Sequence, residues 1–332
     1  MDNLTHTAVG LFLSRAGLNR WTPRATAILL LAANAPDIDI VAASRGSLNY
    51  LHYHRHLSHS LLAMPAMAIL PVLLVRWAGR QPVRWAGAIA AAFLAVASHL
   101  LLDWTNSYGI RPWLPFSAQW VQLDLNNVVD LWIWAVFLLA LIGPFLGRLI
   151  TSEISSGTVQ PLSHGRGSAI FALIFVLLYD CGRGVLNARA VAALGSRVYQ
   201  GVAPSRVAAI PSAANPLRWR GLVETPDFYA VADLDLEAGF DPLRAAILHK
   251  PDPGPALEAA RRSSTFQEFL RFSQYPLWRV LPAPDLENGR LVEAFDLRFG
   301  TPQTPAFIVS ALVDANLRVV RTSFHWGSVR PR

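Results

Sequence analysis

The chain has 332 residues, enough for two domains, and 53% of them are hydrophobic while only 15% are charged. An ordinary soluble domain carries about 25% charged residues, so this balance and the single cysteine exclude a disordered, collagen-like or disulfide-rich chain. The net charge of +7 is unevenly spread, because residues 1–187 carry 8 acids and 12 arginines whereas residues 188–332 carry 14 acids and 17 basic residues. We therefore predict a mainly α protein: a multi-pass helical membrane domain over residues 1–187, then a smaller α+β soluble domain over residues 188–332.

Two short elements precede the first membrane span. Asp2 and His6 are four residues apart, so a helix places them on one face, although helix capping is the commoner role for such an acid. The apolar run Ala25–Pro36 is too short to cross a membrane. It predicts a buried or re-entrant helix that ends near the proline.

Two acids follow this proline. Asp37 and Asp39 alternate around an isoleucine, so in an extended chain both carboxylates point the same way. Carboxylates held together repel each other unless a cation or a proton lies between them. A turn in which one aspartate serves as a cap is the alternative.

Histidines crowd the next segment. Four imidazoles fall within eight residues, a density typical of metal sites, and they belong to His52, His54, His56 and His59. Arg55 lies among them and carries a planar guanidinium suited to phosphate. A solvated, pH-sensitive loop is the alternative.

Four apolar runs are long enough to cross a membrane as helices, which takes about 20 mostly apolar residues. The runs cover residues 60–78, 85–102, 131–147 and 167–186. The fourth is the least apolar because it contains Asp180 and Arg183. A soluble protein with very apolar core helices is the alternative.

The second span ends on His99 and Asp103, whose spacing places an imidazole and a carboxylate one helical turn apart. Such a pair can supply two ligands to one zinc ion, and a metal-free hydrogen bond between the two is the alternative. An antiparallel helix pair brings these two residues to the membrane face where His59 precedes the first span. Nitrogen and carboxylate ligands without thiolate suit Zn²⁺ or Mn²⁺ in an open, hydrolytic site.

The arginines of the short loops indicate an orientation. Three lie between the first two spans and two between the last two, whereas the loop of residues 103–130 contains only Arg111. Positive residues favour the cytoplasm, so the 103–130 loop and the site are predicted to be extracytoplasmic. Three arginines near the N-terminus oppose this assignment, namely Arg15, Arg20 and Arg24.

The C-terminal part alternates short helical and strand patterns. A helix is predicted over Thr265–Tyr275, with Thr265 and Glu268 as a capping box. Strands are predicted at Phe228–Leu236, Leu291–Phe299, Ala306–Val313 and Val319–Phe324, the last two joined by a turn at Asp314–Asn316. Basic residues are scattered among acids without interleaved aromatic residues, so no nucleic-acid partner is expected.

The order and spacing of these motifs resemble the YdjM family of bacterial inner-membrane proteins, described as predicted metal-dependent hydrolases. The resemblance covers about residues 1–145. The matching motifs are Asp2-x-x-Thr5-His6-x-x-x-Gly10, Pro36-Asp37-x-Asp39, His54-Arg55-x-x-Ser58-His59-Ser60 and His99-x-x-x-Asp103-Trp104 with Tyr108-Gly109. Further along, Asn215-Pro216-Leu217-Arg218-Trp219 looks like the tail of the family's longer members. The family is remotely related to a superfamily of zinc phospholipases C and single-strand nucleases that cleave phosphate esters.

Residues and resemblance together imply a metal-dependent hydrolase of phosphoesters. One to three divalent ions, most readily zinc and otherwise manganese, are expected on His6, Asp37, Asp39, His54, His59, His99 and Asp103. Metal-bound water is the expected nucleophile, Asp37 or Asp39 the acceptor of its proton, and Arg55 the group that stabilises charge on the phosphoryl oxygens. The predicted partners are the lipid bilayer and an amphiphilic, lipid-linked or other phosphoester substrate.

Two other classes of function stay open. A divalent-cation transporter could use the same ligands along a path between spans, although carriers place acids in mid-span and these acids lie at span ends. A non-catalytic membrane scaffold could hold a structural metal without an exchangeable water. The sequence does not indicate the oligomeric state.

Overall fold

The computed structural model describes residues 1–79, 82–154, 165–283 and 286–327, with the backbone alone for residues 147–154. The chain divides into two compact units. The first unit comprises Met1–Asp39, Arg55–Asn187 and Pro211–Pro216, and the second comprises Ile40–His54, Ala188–Ile210 and the chain from Leu217 onward. The main division therefore falls after Asn187, but two short segments each belong with the other unit.

The helices, in chain order, are α1 Asn3–Ala16, α2 Ala25–Ala32, α3 Ser47–Tyr53, α4 Met64–Ala78, α5 Trp85–Thr105, α6 Leu131–Ile154, α7 Arg166–Gly195, α8 Pro255–Arg261 and α9 Ser264–Phe272. The strands are β1 Arg206–Pro211, β2 Arg218–Glu224, β3 Phe228–Asp235, β4 Ala246–His249, β5 Pro276–Pro282, β6 Arg290–Asp296, β7 Phe307–Val313 and β8 Val319–Trp326. Short 3₁₀ helices cover Leu18–Arg20, Ala35–Arg45, Leu57–His59 and Pro242–Arg244.

Two helices of the described chain, α5 and α7, are by themselves long and apolar enough to cross a membrane. The count rises to four if α2 is joined to Ala35–Arg45 across a bend of 46°, and Ser47–His59 to α4 across a bend of 87°. The apolar part of α6, Leu131–Leu146, is shorter. All four predicted spans are therefore helical, but α4 begins four residues later than predicted and has only 15 residues. The short helix predicted after residue 25 is α2.

Two apolar cores hold the first unit together. One is shared by α2, α4 and α5, where alanines along α5 allow the helices to approach closely. The other is shared by α1, α6 and α7 around Phe12 and Phe137. The first core joins the helices that carry or adjoin His59 and His99, so it fixes the distance between these two histidines.

Helix α1 packs closely at Gly10 against the C-terminal end of α2. A Cβ atom built there would lie 2.9 Å from the carbonyl oxygen of Leu29 and 2.9 Å from the Cβ of Ala33. Atoms of that kind do not approach so closely in proteins. Only glycine fits this crossing without a shift of one helix.

A loop over residues 106–130 connects α5 to α6 and is anchored on α7. Asp130 caps α6 by accepting a hydrogen bond from the Trp132 amide at 3.0 Å, and Asp180 accepts one from the Asn126 side chain at 2.6 Å. The buried Arg183 donates from Nε to the Leu125 carbonyl at 2.8 Å. These partners explain how the least apolar predicted span keeps two charged residues.

The second unit contains two four-stranded antiparallel sheets, in the orders β1-β2-β3-β4 and β5-β6-β7-β8. Helix α9 packs on β7 and β8 through phenylalanines at helical spacing, Phe266, Phe269 and Phe272. Helix α3 also belongs to this unit. Its Ser47 hydroxyl donates to the Phe324 carbonyl at 2.7 Å, and Tyr50 stacks on Trp326 with ring centroids 4.5 Å apart.

The predicted C-terminal elements are largely present. The four predicted strands are β3, β6, β7 and β8, and the turn before β8 is closed by Asp314, whose carboxylate accepts from the Asn316 amide at 2.9 Å. The predicted capping box is wrong, because Ser263 caps α9 and accepts from the Phe266 amide. Glu268 instead lies 2.8 Å from Nδ1 of His52. The sequence prediction missed β1, β2, β4, β5 and α8.

A buried ion pair is expected to make the second unit sensitive to acid. Asp296 is fully buried and accepts hydrogen bonds from Arg298, with a shortest Nη2–Oδ2 distance of 2.8 Å, and from the Gln274 amide at 3.0 Å. Burial by itself raises the pKa of the Asp296 carboxyl, but Arg298 and these donors outweigh it and hold the pKa below its usual value. The carboxylate therefore stabilises the fold at neutral pH, and this contribution is lost as the pH falls through the lowered pKa.

Asp296→Asn is expected to lower the free energy of unfolding by roughly 3–5 kcal/mol at pH 7, because it leaves Arg298 buried without its counter-ion. The difference from wild type should begin to shrink below about pH 4, where the carboxyl of the unfolded chain takes up a proton that the folded chain does not yet bind. Thermal unfolding of the full chain in detergent between pH 3 and 7 measures this, with the exposed Asp252→Asn as control. An unchanged difference across that range would contradict the assignment.

Candidate metal centre

Four buried side chains from three parts of the first unit converge on one point. They are Asp37, His59, His99 and Asp103, and one ligand atom from each lies within 4.8 Å of the others. The two imidazole Nε2 atoms are 3.1 Å apart. The Asp103 Oδ2 atom lies 3.3 Å from Nε2 of His59 and 3.4 Å from Nε2 of His99. Residues predicted from separate motifs therefore meet, as an antiparallel packing of α4 and α5 requires.

The hydrogen-bond partners of the two rings determine where their lone pairs point. His99 places Nδ1 2.7 Å from the carbonyl oxygen of Ala33, which can only accept, so Nδ1 carries the proton. His59 places Nδ1 3.2 Å from an Asp39 carboxylate oxygen, which also fixes the proton there. When both rings are neutral, both Nε2 atoms therefore present lone pairs to each other.

This arrangement fits a divalent cation. Two lone pairs and two carboxylates at these distances repel one another unless a cation or a proton lies between them. The separations from Nε2 to the carboxylate oxygens run from 3.3 to 3.7 Å, longer than most N–H···O hydrogen bonds. Ligands about 2.0–2.1 Å from a tetrahedral Zn²⁺ are separated by about 3.3–3.4 Å. Asp103 Oδ2 accepts no hydrogen bond from any described residue.

His6 lies beside the four-residue group. Its buried ring stacks on His99 with centroids 3.8 Å apart, and its Nε2 is 3.3 Å from Asp103 Oδ1. Neither ring nitrogen forms a hydrogen bond with a described residue. Asp2, its partner in the sequence motif, instead caps α1 by accepting from the Leu4 and Thr5 amides at 3.1 and 3.0 Å.

Asp37 and Asp39 do not share an extended face as predicted. Their segment is a 3₁₀ helix, which turns the two carboxylates to different edges of the His59 ring. Asp37 Oδ1 lies 3.4 Å from Nε2 of His59, whereas Asp39 faces Nδ1 and also accepts from the Arg55 amide at 2.8 Å. Asp39 therefore orients an imidazole on the edge away from the convergence point.

Arg55 is buried and its guanidinium is engaged by the protein. Nη2 donates to Asp103 Oδ1 at 2.9 Å, and Nη1 donates to the Gly109 carbonyl at 2.7 Å and to the Asn106 side chain at 3.2 Å. Its backbone adopts φ 52°, a left-handed conformation that residues other than glycine seldom take. In this position Arg55 braces Asp103, rather than facing solvent as a free phosphate-binding group.

His54 lies in the other compact unit, where its ring stacks on Tyr50 with centroids 4.5 Å apart. Its role as a ligand stays a prediction. The sequence prediction missed the Ala33 carbonyl and Asn106, both of which position site residues. A backbone carbonyl leaves no signal in a sequence, whereas the polar residue just after the second span offered one for Asn106.

Comparisons with known proteins agree with the motifs. The model of the family described as YdjM inner membrane protein matches residues 1–190, and that of the YfhP C-terminal alpha/beta plait domain matches residues 255–330. The chain is 25% identical over 338 residues to "Uncharacterized protein YfhP" of Bacillus subtilis (strain 168), an alignment that covers 98% of this chain and 94% of the relative. No solved structure matches the chain. Since the first match spans more than half of the residues, and apolar helices accompany it, the chain belongs to the YdjM family of inner-membrane proteins.

Proposed function

We propose that this protein is a membrane-embedded, metal-dependent hydrolase that cleaves a phosphoester on an amphiphilic, lipid-linked substrate. The observation that carries the proposal is the convergence of two imidazole Nε2 atoms, 3.1 Å apart, with two buried carboxylates. Zinc is the preferred ion for this set of nitrogen and oxygen donors, with manganese second.

The protein's own groups have distinct tasks in this scheme. A divalent ion held by three of the four converging residues, His59, His99 and Asp103, would leave room for a bound water and would supply hydroxide from it near neutral pH. Asp37 is the most accessible of the four, at 9% exposure against 0% for the others, so the open side of the site lies there. We propose that Asp37 accepts the proton that the attacking water releases. Arg55 holds Asp103 and Asp39 holds His59, so both act by positioning.

The position of the site along α5 favours an enzyme over a cation carrier. His99 and Asp103 lie in the last two turns of this helix, which ends at Thr105, and not in its middle. Exposed aromatic side chains follow in the same unit at Trp113 and Phe116. Aromatic residues of this kind favour the lipid–water interface, which supports an amphiphilic substrate. Trp120, by contrast, is buried and packs on Arg111.

Hydrolysis is tested on the purified full chain in neutral detergent. We expect release of nitrophenolate from bis(p-nitrophenyl) phosphate, or of the headgroup from a short-chain phospholipid, which EDTA abolishes and Zn²⁺ or Mn²⁺ restores. Asp37→Asn should lower the rate at least about 100-fold, as loss of a proton acceptor does, and Asp252→Asn should not. Metal binding without turnover of either substrate would favour the scaffold. Flux of divalent cations into vesicles that contain the protein would favour the carrier.

The side of the membrane is a separate part of the proposal. The scarcity of arginine in residues 103–130 supports an extracytoplasmic site. A cysteine introduced at exposed Trp113, in a chain that lacks Cys181, should then react with a membrane-impermeant maleimide in intact cells. Reaction only after lysis would place the site in the cytoplasm.

A further inference from the structure

The second unit contains a cleft that is lined entirely by its own residues. The volume of the cleft is about 1370 Å³, above the roughly 300–1,000 Å³ of ordinary small-molecule pockets. Its walls come from the end of α7, from β2, β3 and β4, and from the loops after β3 and β6. Apolar side chains such as Leu236, Phe240 and Leu248 alternate there with charged ones. The cleft therefore has the size and lining for an amphiphilic ligand.

The aspartates of the cleft already have partners. Asp241 lies 3.7 Å from Arg244, and Asp235 lies 3.2 Å from Arg218. The third, Asp233, stands opposite Arg220 in the β2–β3 ladder. Each of these aspartates therefore has an arginine near it that offsets its charge.

Two further arginines, one near the end of α7 and one just after it, have no such partner. Arg189 and Arg197 are exposed, line the cleft, and form no ion pair with any carboxylate in the described part of the chain. Arg189 lies in the last two turns of α7, which ends at Gly195, and Arg197 follows two residues after that end. Two guanidiniums on a concave wall without a carboxylate are suited to a phosphate group, which accepts two parallel hydrogen bonds from each fork.

The length of α7 places Arg189 near the membrane surface. The helix has 30 residues, or about 45 Å at 1.5 Å per residue, whereas the hydrocarbon core is about 30 Å thick. The apolar part of α7 ends at Leu186, and Arg189 follows only three residues later. Arg189 therefore lies at the depth of lipid phosphates if α7 spans the bilayer.

We propose that this cleft binds an amphiphilic organic phosphate, with Arg189 and Arg197 on the phosphate oxygens and Phe240 against the apolar part. The shared chemistry is a phosphate on a partly apolar body, supplied either by an anionic lipid headgroup or by a soluble organic phosphate. This site is separate from the metal centre and does not depend on hydrolysis there.

Binding is measured by calorimetry on the full chain in neutral maltoside detergent, with EDTA present to prevent consumption of the probe. The probes are dihexanoyl phosphatidic acid, glycerol 3-phosphate and dihexanoyl phosphatidylcholine. We expect the Kd of the bound phosphate to rise at least about tenfold in Arg189→Gln/Arg197→Gln, which removes two charge-assisted contacts. The matched control Arg261→Gln/Arg271→Gln removes the same charge from α8 and α9 and should leave the Kd unchanged.

Each outcome decides the proposal. Binding of phosphatidic acid alone supports the cleft and identifies a lipid source, and binding of glycerol 3-phosphate as well supports it with a soluble source. Binding that persists in the double variant overturns the proposal, because the probe then binds elsewhere, for example at the metal centre. Equal affinity for phosphatidylcholine also overturns it, and so does the absence of binding by every probe. If the double variant aggregates, each single substitution should still weaken binding about threefold.

Discussion

His99→Ala and His59→Ala are each expected to leave the purified protein without bound divalent metal. Each variant removes one of the two Nε2 atoms that lie 3.1 Å apart, and with it one of the proposed ligands. Removing a residue that only hydrogen-bonds to a metal ligand already weakens metal binding about 10–100-fold. Removing a ligand itself should therefore lower the metal affinity at least about 100-fold. Elemental analysis after dialysis against buffer of fixed free zinc measures the effect.

Two controls make this result interpretable. His249→Ala removes an exposed histidine of β4 in the second unit and should leave the metal content unchanged. His99→Gln keeps most of the side-chain volume in the apolar core beside α2, so metal loss there cannot be attributed to a cavity. Full retention of metal in both alanine variants would remove the proposed centre and leave only a buried His–Asp hydrogen-bond cluster.

Arg55→Ala is expected to lower the free energy of unfolding of the first unit by roughly 3–5 kcal/mol, the range for a broken buried ion pair. The substitution leaves the fully buried Asp103 without its guanidinium and frees the Gly109 carbonyl and the Asn106 side chain. Bound metal should restore part of the loss, because the cation replaces some of the missing positive charge. Thermal unfolding in detergent, with and without zinc, measures both effects.

Arg55→Lys separates charge from geometry. Lysine keeps a positive charge near Asp103 but cannot donate to several partners from one planar group, so its stability should fall between those of wild type and alanine. The exposed Arg45→Ala is the control and should change stability by less than about 0.5 kcal/mol. Equal stability of Arg55→Ala and wild type without metal would show that Asp103 does not need this partner.

The sequence predicted the parts of the site that helical geometry fixes. The spacing of His99 and Asp103 is a property of one helix, and the meeting of His59 with His99 follows once two neighbouring spans are antiparallel. The predicted arrangement of Asp37 and Asp39 was wrong because their segment is a 3₁₀ helix. Alternate side chains point the same way in an extended chain but not in such a helix. Arg55 lay in the correct motif, but its partners come from residues about 50 positions away and could not be foreseen.

The missed parts of the fold have similar causes. Strand β5 begins and ends with proline, which argues against a central strand, and β5 is in fact an edge of its sheet, where proline is tolerated. Strand β4 has only four residues and is also an edge. The assignment of α3 to the second unit rests on contacts such as Tyr50 with Trp326, which connect residues 276 positions apart and leave no trace in local composition.

The close helix packing at Gly10 helps to determine which nitrogen of the His99 imidazole carries the proton. Ala33, whose carbonyl fixes the proton on His99, is also the residue whose Cβ would meet any side chain at position 10. An added methyl group would wedge the two helices apart, carry that acceptor away, and free the ring to exchange its tautomer. The direction of the His99 Nε2 lone pair is thus controlled from outside the four-residue group, by how tightly α1 and the segment ending at Ala33 pack at Gly10.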